Sequence, residues 1–322
     1  MKVSKVGDRV FLGLSSGAAW LIMVVLAGVA IFLVIQAAPA IAANWTQNTA
    51  LQDRTSGFTL GYDNFWQYVS PLLFGTIWAS FLALLLGAPV AVGIALFISH
   101  YAPRRVSGVL GYLVDLLAAV PSVVFGLWGI VVIRPFLGPL NEFLNSSFGW
   151  IPLFSGDVAK GGSTLLAGAV VLAVMILPII TSISREIFLQ TPSLHEEAAL
   201  ALGATRWEMI RLAVFPYARS GIISSILLGL GRALGETMAI AMIVSPKLII
   251  SFQVLTNDNP ATIASNIANK FGGANQTQAD ALIATGLLLF VVSFAVNFVA
   301  RWIVGRTSAT PRRRRIPIRK AA

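Results

Sequence analysis

The sequence predicts an all-α integral membrane protein with six transmembrane helices and both termini on the cytoplasmic side. Three observations lead there. The 322-residue chain is 57% hydrophobic and 11% charged, with a mean hydropathy of +0.81, whereas soluble domains carry about a quarter charged residues. Six windows hold the roughly 20 mainly apolar residues that a spanning helix needs. Lysine and arginine collect in alternate loops, the bias that fixes the inner face of a membrane protein.

The windows are 15–41, 70–98, 108–133, 163–183, 217–245 and 279–304. The first follows the basic start MKVSKVGDR and ends near Ala40-Ile41-Ala42, which resembles a cleavage site. Its apolar stretch is longer than the about 7–15 residues of a signal-peptide core, so it reads as an uncleaved anchor. With the N-terminus inside, sixteen of the 23 basic residues fall in inner segments: Lys2, Lys5, Arg9, Arg104, Arg105, Arg185, Arg206, Arg211, Arg301, Arg306 and the tail Arg312, Arg313, Arg314, Arg315, Arg319 and Lys320. Only Arg54, Arg134, Lys160, Lys247 and Lys270 fall outside, while Arg219 sits at a boundary and Arg232 within a span. The outer segments 42–69, 134–162 and 246–278 are rich in Asn, Gly, Ser and Thr, and each is too short to bury a sizeable core. Pro71, Pro89, Pro121 and Pro178 punctuate the spans. Such kinks are tolerated where neighbouring helices or water satisfy the freed carbonyls, so a packed bundle is implied.

Composition excludes several activities. There is no cysteine, and His100 and His195 have no ligand-type spacing, so no metal site is expected. The net charge of +10 owes much to the basic tail, which after a membrane helix reads as a lipid-facing inner segment and not as a nucleic-acid site. Gly156-Asp-Val-Ala-Lys-Gly161-Gly162-Ser163 nearly matches GxxxxGK[ST], but Gly162 stands where the phosphate-binding lysine belongs and no strand precedes it. The chain has no ATPase site of its own. If ATP drives its work, a separate subunit supplies it.

The inner segment 185–220, REIFLQTPSLHEEAALALGATRWEMIRLAVFPYARS, carries the most information. Ser193-x-x-Glu196 and Thr205-x-x-Glu208 both fit a capping box. Gly203 between them suits a left-handed turn, and Pro216 stops the second helix or bends it into the next span. The reading is helix, tight turn, helix. Ala198, Ala199 and Ala201 leave a thin surface that another backbone could approach, while Trp207, Ile210 and Val214 recur at helical spacing and anchor the second helix. Local physics alone leaves an ordinary interfacial hairpin open.

Glu197-Ala198-Ala199-x3-Gly203-x9-Ala213-x-Phe215-Pro216 resembles the EAA-x3-G-x9-I-x-LP loop of bacterial ABC importer permeases, with Ala213 and Phe215 replacing Ile and Leu. The longer stretch EAALALGATRWEMIRLAVFPYARSGIISSILLGLGRALGETMAIAMIV is similar to the phosphate-specific transport (Pst) permeases, as is AAVPSVVFGLWGIVVIRP at 118–135. Gly-Glu-Thr-Met-Ala at 235–239 is closer to PstC-type than to PstA-type subunits. The resemblance implies a type I ABC importer permease fold: a first helix and outer segment at 1–69, a permease core at 70–304 with a coupling loop at 185–216, and a basic tail at 305–322. It implies that Glu197, Ala198, Ala199 and Gly203 dock on a cytoplasmic ATPase. It also implies a PstA-like second permease, two PstB-like ATPase copies that bind ATP and Mg, and an external phosphate-binding protein. No cofactor is expected in this chain.

The fifth window contains two charges, Arg232 and Glu236. A charged residue at mid-membrane costs roughly 2.5–3.5 kcal/mol on insertion scales, so such residues face the bundle interior, pair, or line water. On a continuous helix they are i and i+4 and share one face. One reading makes them a self-satisfying ion pair that aids packing, beside a Gly231-x-x-x-Gly235 close-approach motif. The other places both on an anion path, Arg232 meeting phosphate oxygens and Glu236 preventing over-tight retention. Asp115 and Ser122 are further path candidates, Asp115 alternatively reaching inner water and Ser122 alternatively satisfying its own helix. Arg134 is expected to snorkel at the outer interface. Three alternatives to phosphate import stand: a proton-coupled secondary anion transporter using Arg232, Glu236 and Asp115; an importer permease for sulfate or molybdate; and a non-transporting scaffold.

Overall fold

The computed structural model describes residues 5–43 and 62–307. Lys2, Arg54 and the basic residues 312–320 lie outside the described residues. The described residues are mostly helical. The long elements are α1 (Lys5–Ala42), α2 (Phe65–Leu96), α3 (Arg104–Ala118), α4 (Ser122–Trp128), α5 (Arg134–Phe148) and α6 (Leu165–Leu189). They are followed by α7 (Ser193–Ala201), α8 (Arg206–Met209), α9 (Phe215–Leu234), α10 (Met238–Ile243), α11 (Ile263–Lys270) and α12 (Gln276–Thr307). One two-residue parallel pair, β1 (Pro246–Lys247) with β2 (Asn259–Pro260), ties down the segment after α10.

Among the described residues, six helical stretches are long and apolar enough to cross a membrane: Gly7–Ala42, Phe65–Tyr101, Ser122–Phe148, Leu165–Leu189, Arg206–Leu234 and Gln276–Trp302. The number matches the sequence reading, but two windows need correction. The helix expected over 108–133 is interrupted: α3 ends at Ala118 and α4 starts at Ser122, with Pro121 extended at ψ 140°. Proline offers no amide hydrogen and drives the residue before it away from helical geometry. The crossing helix is therefore shifted to 122–148, and α3 is a separate amphipathic helix that buries only Gly111 and Val114. The helix expected over 217–245 is interrupted too, because α9 stops at Leu234 and α10 begins only at Met238.

The core is built on α2 and α6, with α9 packed against both. Leu172, Met175, Ile176 and Ile180 of α6 meet Ala79, Ala83 and Ala91 of α2 in one buried cluster. Polar side chains cross-link it inside the bundle. The Thr181 hydroxyl donates to the Ala91 carbonyl at 3.2 Å, and Ser184 and Ser225 share a hydrogen bond of 2.8 Å. Such bonds hold apolar helices in register where lipid gives no hydrophobic drive. The close helix approach expected at Gly231 and Gly235 occurs elsewhere within the chain: among the described residues, no other element comes within 4 Å of a Cβ placed at either position. Gly221 and Gly229 fill that role, lying against Ile187 and Ile180 of α6. α1 packs chiefly on α12, where Gln36 donates to Asp280, and most of its surface is exposed.

Three π turns share a local cause. Phe97–Tyr101, Gly129–Ile133 and Ile210–Val214 each lie two residues before a proline, Pro103, Pro135 and Pro216. A proline cannot donate and its ring clashes with the carbonyl four residues back. The residue before each proline instead bonds five back: Ala102 to Phe97, Arg134 to Gly129 and Phe215 to Ile210. At Pro216 the result is a bend without a stop, so α8, the π turn and α9 form one stretch from Arg206 to Leu234.

Candidate translocation path and coupling surface

α6 serves as a ruler for depth. Along it, Gly221 meets Ile187, Gly229 meets Ile180 and Ile176, and α10 follows with Ile240 and Val244 against Gly168. The α9–α10 break thus lies near the middle of α6. On the other flank, Asp115 of α3 meets Ser182, whereas Gly129 meets Val171. The α3–α4 break therefore falls at a similar depth. α4 and α10 leave these breaks side by side and in the same direction, Gly126 against Ala239 and Met242, then Gly129 against Ile243. Irregular backbone at mid-depth of a membrane bundle is tolerated where protein buries it or water lines it.

The candidate residues are distributed around these breaks. Arg232 is exposed in the last turn of α9. Glu236 is 7% exposed, and its carboxylate accepts the Ala239 amide at 3.0 Å. The two are not on one continuous helix, and no Arg232–Glu236 ion pair forms among the described residues. Glu236 instead caps α10. Ser122 is half-buried at the start of α4, level with the α9–α10 break. Asp115 is exposed on α3, its carboxylate accepting the Ser182 hydroxyl at 2.7 Å; it forms no ion pair with Arg232.

Arg134 does not snorkel freely. Its guanidinium donates to the carbonyls of Met242 at 2.9 Å and Ile243 at 3.0 Å, the last carbonyls of α10. α10 therefore has a carboxylate at its N-terminus and a guanidinium at its C-terminus, both favourable to the helix dipole. Sequence reasoning missed this role, since Arg134 and Ile243 are 109 residues apart and nothing local marks the pairing.

The outer-segment loops interlock at one end of the bundle. Asn259, fully buried, accepts the Leu165 amide at 2.7 Å and donates to the Ser163 carbonyl at 2.8 Å. The Leu166 amide goes to the Val254 carbonyl and the Ala167 amide to the Thr164 hydroxyl. The first-turn amides after Gly156–Ser163 are thus already bonded to protein, which leaves this near-match to a phosphate loop no free cradle. At the same end Lys270 lies 5.5 Å from the Tyr68 ring centre, and burial pulls its amine below the ordinary lysine range.

At the opposite end sits the α7–α8 hairpin. Gly203 has φ +86°, the left-handed turn expected there. The box at Thr205 is complete, with Glu208 accepting the Thr205 amide at 2.8 Å and Thr205 accepting the Glu208 amide at 3.3 Å. The box at Ser193 does not form: Pro192 takes the N-cap position and Ser193 enters the helix. Glu196 is thereby free to face His100 at 3.4 Å. Ile210 and Val214 are buried as expected, with Met209 beside them, but Trp207 is exposed, its ring set edge-on to Phe215 at 6.3 Å. α7 itself buries no residue. A cavity of about 850 Å³ opens beside it, lined by Ala198, Ala199, Gly203, Glu208, Ala213 and Pro216, and Glu197 is exposed nearby. Leu194 and Leu202 project into solvent, a surface shaped to be covered.

Six apolar crossings, two mid-depth breaks with charged side chains, and an uncovered hairpin at one end define a membrane permease component that works with other subunits. A family profile described as "Binding-protein-dependent transport system inner membrane component" matches residues 87–309. The phosphate transport system permease protein PstC 2 of Mycobacterium tuberculosis is 46% identical over 310 residues, covering 95% of this chain and 94% of that protein. PstC of Mycobacterium leprae is 44% identical over 281 residues, covering 86% of each chain. Among solved structures, a bacterial alginate ABC transporter in complex with its pentasaccharide-bound periplasmic protein aligns with a TM-score of 0.57 at 18% identity, covering 91% of this chain and 97% of that one. The last shows the fold alone. The chain belongs to the PstC-type permease family of binding-protein-dependent transport systems: a multi-pass inner-membrane subunit with an ABC importer permease fold. Membership implies partner permease and ATPase subunits.

Proposed function

We propose that this chain forms one half of the membrane path of an ATP-driven inorganic phosphate importer, with both termini cytoplasmic. The observation that carries the reading is Arg232, exposed at a mid-depth helix break with no carboxylate in ion-pair range among the described residues. An unpaired guanidinium at that depth is costly unless water or an anion meets it, and its fork geometry suits phosphate oxygens. Glu236 fixes the break by capping α10, so it positions the arginine's surroundings and does not neutralise it. Ser122 sits at the facing break and offers a hydroxyl. Asp115 guards the lower approach along α3.

Coupling runs through the α7–α8 hairpin. Glu197, Ala198, Ala199 and Gly203 seat it in a PstB-like ATPase, two copies of which bind ATP and Mg beneath this chain and a PstA-like partner. Because Arg206–Leu234 is one helical stretch, a displacement of the hairpin moves Arg232 as the far end of a lever. Closure of the ATPases opens the path outward, where an external phosphate-binding protein delivers its cargo. Hydrolysis resets it inward. In functional units, the first helix and outer segment occupy 1–69, the permease core 70–304 and the basic tail 305–322.

Co-purification with mass identification of the associated chains tests the assembly, and the result expected is an ATPase, a second permease and a phosphate-binding protein. A sulfate- or molybdate-binding partner would overturn the substrate assignment, and recovery of this chain alone would overturn the assembly.

A further inference from the structure

We propose that the groove between α9 and α12, in the half of the bundle nearer the α7–α8 hairpin, is a second anion site. There Arg301, with Asn297 and Ser224, receives phosphate that has left Arg232 on its way inward. The inference rests on the path role proposed above for Arg232.

Helix periodicity sets the direction. Ser224, Leu228 and Arg232 recur every fourth residue on the uninterrupted helix Phe215–Leu234, so they form one strip, and each is exposed. Ala218, Ser225 and Gly229 occupy another face and are buried. The strip leads from the mid-depth break toward the hairpin. At 1.5 Å of rise per residue, Ser224 stands about 12 Å from Arg232 along the axis. Its level falls between Gly221, against Ile187, and Gly229, against Ile180. There the strip meets α12, whose Asn297, Arg301 and Gly305 also recur every fourth residue. These three line, with Ser224, Leu227 and Leu228, a cavity of about 390 Å³, ample for a small hydrated oxyanion.

The charges around the groove favour an anion. No acidic residue occurs in 215–234 or in 281–307, and Arg301, exposed in α12, forms no ion pair among the described residues. The Asn297 amide gives one hydrogen to the Ser293 carbonyl at 2.9 Å and keeps a second. The Ser224 hydroxyl donates to the Ser220 carbonyl at 2.9 Å and can exchange that bond for one to a ligand. A guanidinium fork beside an amide and a hydroxyl matches phosphate oxygens. Leu227 and Leu228 supply the apolar remainder of the wall. One guanidinium at each station holds the ion loosely enough to pass it on. The headgroup phosphate of an anionic lipid offers the same chemistry, and Trp302, exposed beside Arg301, marks an interfacial level. The continuous strip to Arg232 favours the free ion.

The experiment places a reporter in the groove of the full complex. The chain has no cysteine, and a Cβ at Gly305 meets nothing within 4 Å, so Gly305→Cys gives this chain one thiol beside Arg301. The complex is reconstituted in nanodiscs of zwitterionic or of anionic phospholipid. Modification of this chain by a sulfonate-bearing thiol reagent is timed with inorganic phosphate or with chloride at equal ionic strength, which matches general screening. In both lipids phosphate, and not chloride, slows modification about 3- to 10-fold, the protection expected of one loosely held, charge-assisted ion. Arg301→Gln abolishes the protection and Arg301→Lys keeps part of it. Arg301→Gln also lowers the initial rate of ATP-driven phosphate uptake about 3- to 10-fold, again the loss of one charge-assisted contact. No protection by phosphate, or protection that survives Arg301→Gln, would overturn the site. Phosphate-insensitive modification that is slow in anionic lipid and fast in zwitterionic lipid would assign the groove to a headgroup and overturn its place on the path. Unaltered uptake by Arg301→Gln would overturn that place too. All of these leave the Arg232 reading standing, which falls instead if Arg232→Gln imports phosphate at the unaltered rate.

Discussion

The short helix α10 is held at both ends, and removing either hold should release it. Glu236→Ala deletes the acceptor of the Ala239 amide, a bond of 3.0 Å made by a residue 7% exposed. A lost helix cap is worth about 0.5–2 kcal/mol, and burial places this one toward the upper end. Arg134→Met removes a guanidinium that serves the Met242 and Ile243 carbonyls, and charge-assisted hydrogen bonds contribute about 1.5–3 kcal/mol. Taking 1–2 kcal/mol as the part that bears on local opening, α10 should leave its seat about 5- to 30-fold more often. The chain has no cysteine, so an added Ala241→Cys gives a single labelling site. A membrane-impermeant maleimide should then react about 5- to 30-fold faster in each variant than in the Ala241→Cys parent. Unchanged labelling in both variants would refute the claim that side chains on α5 and at the break fix α10.

Further outcomes follow from other residues. Gly203→Pro or Glu197→Arg should abolish ATP-driven uptake while leaving the chain in the membrane, because the first forbids φ +86° and the second reverses charge on the docking face; membrane fractionation with an uptake assay checks both. Arg232→Gln should reduce uptake about 10- to 100-fold, the loss of one charge-assisted anion contact, with Arg232→Lys intermediate, as read from initial uptake rates. Gly75→Ala should lower the thermal unfolding midpoint of the purified chain by several degrees, since the new Cβ would collide with the Ala261 backbone carbonyl, which cannot rotate away.

Hydropathy made the six crossings legible, because about 20 apolar residues in a row have few other uses. It could not place the third one, since the apolar window ran across Pro121 and averaged an amphipathic helix with a spanning one. Pro121 itself was the visible signal. The fifth span misled for a different reason. Arg232 and Glu236 stand four apart and would share a face on a continuous helix, whereas the Glu236 side chain turns to the Ala239 amide and starts a new helix. The hairpin was legible from Gly203, Thr205 and Glu208, whose chemistry is local. The Ser193 box failed because Pro192 preceded it and could take the cap position instead. Contacts such as Arg134 with Ile243 and Asn259 with Leu165 join residues about a hundred positions apart, and no local pattern encodes them.

The central claim is that ATP, through separate subunits, drives phosphate along a path lined by Arg232. The most direct test is radiolabelled phosphate uptake into proteoliposomes holding the purified complex and an external phosphate-binding protein, powered either by ATP or by a proton gradient. The account predicts uptake that requires ATP and the binding protein and falls with Arg232→Gln. Uptake by this chain alone under a proton gradient, indifferent to ATP, would contradict it.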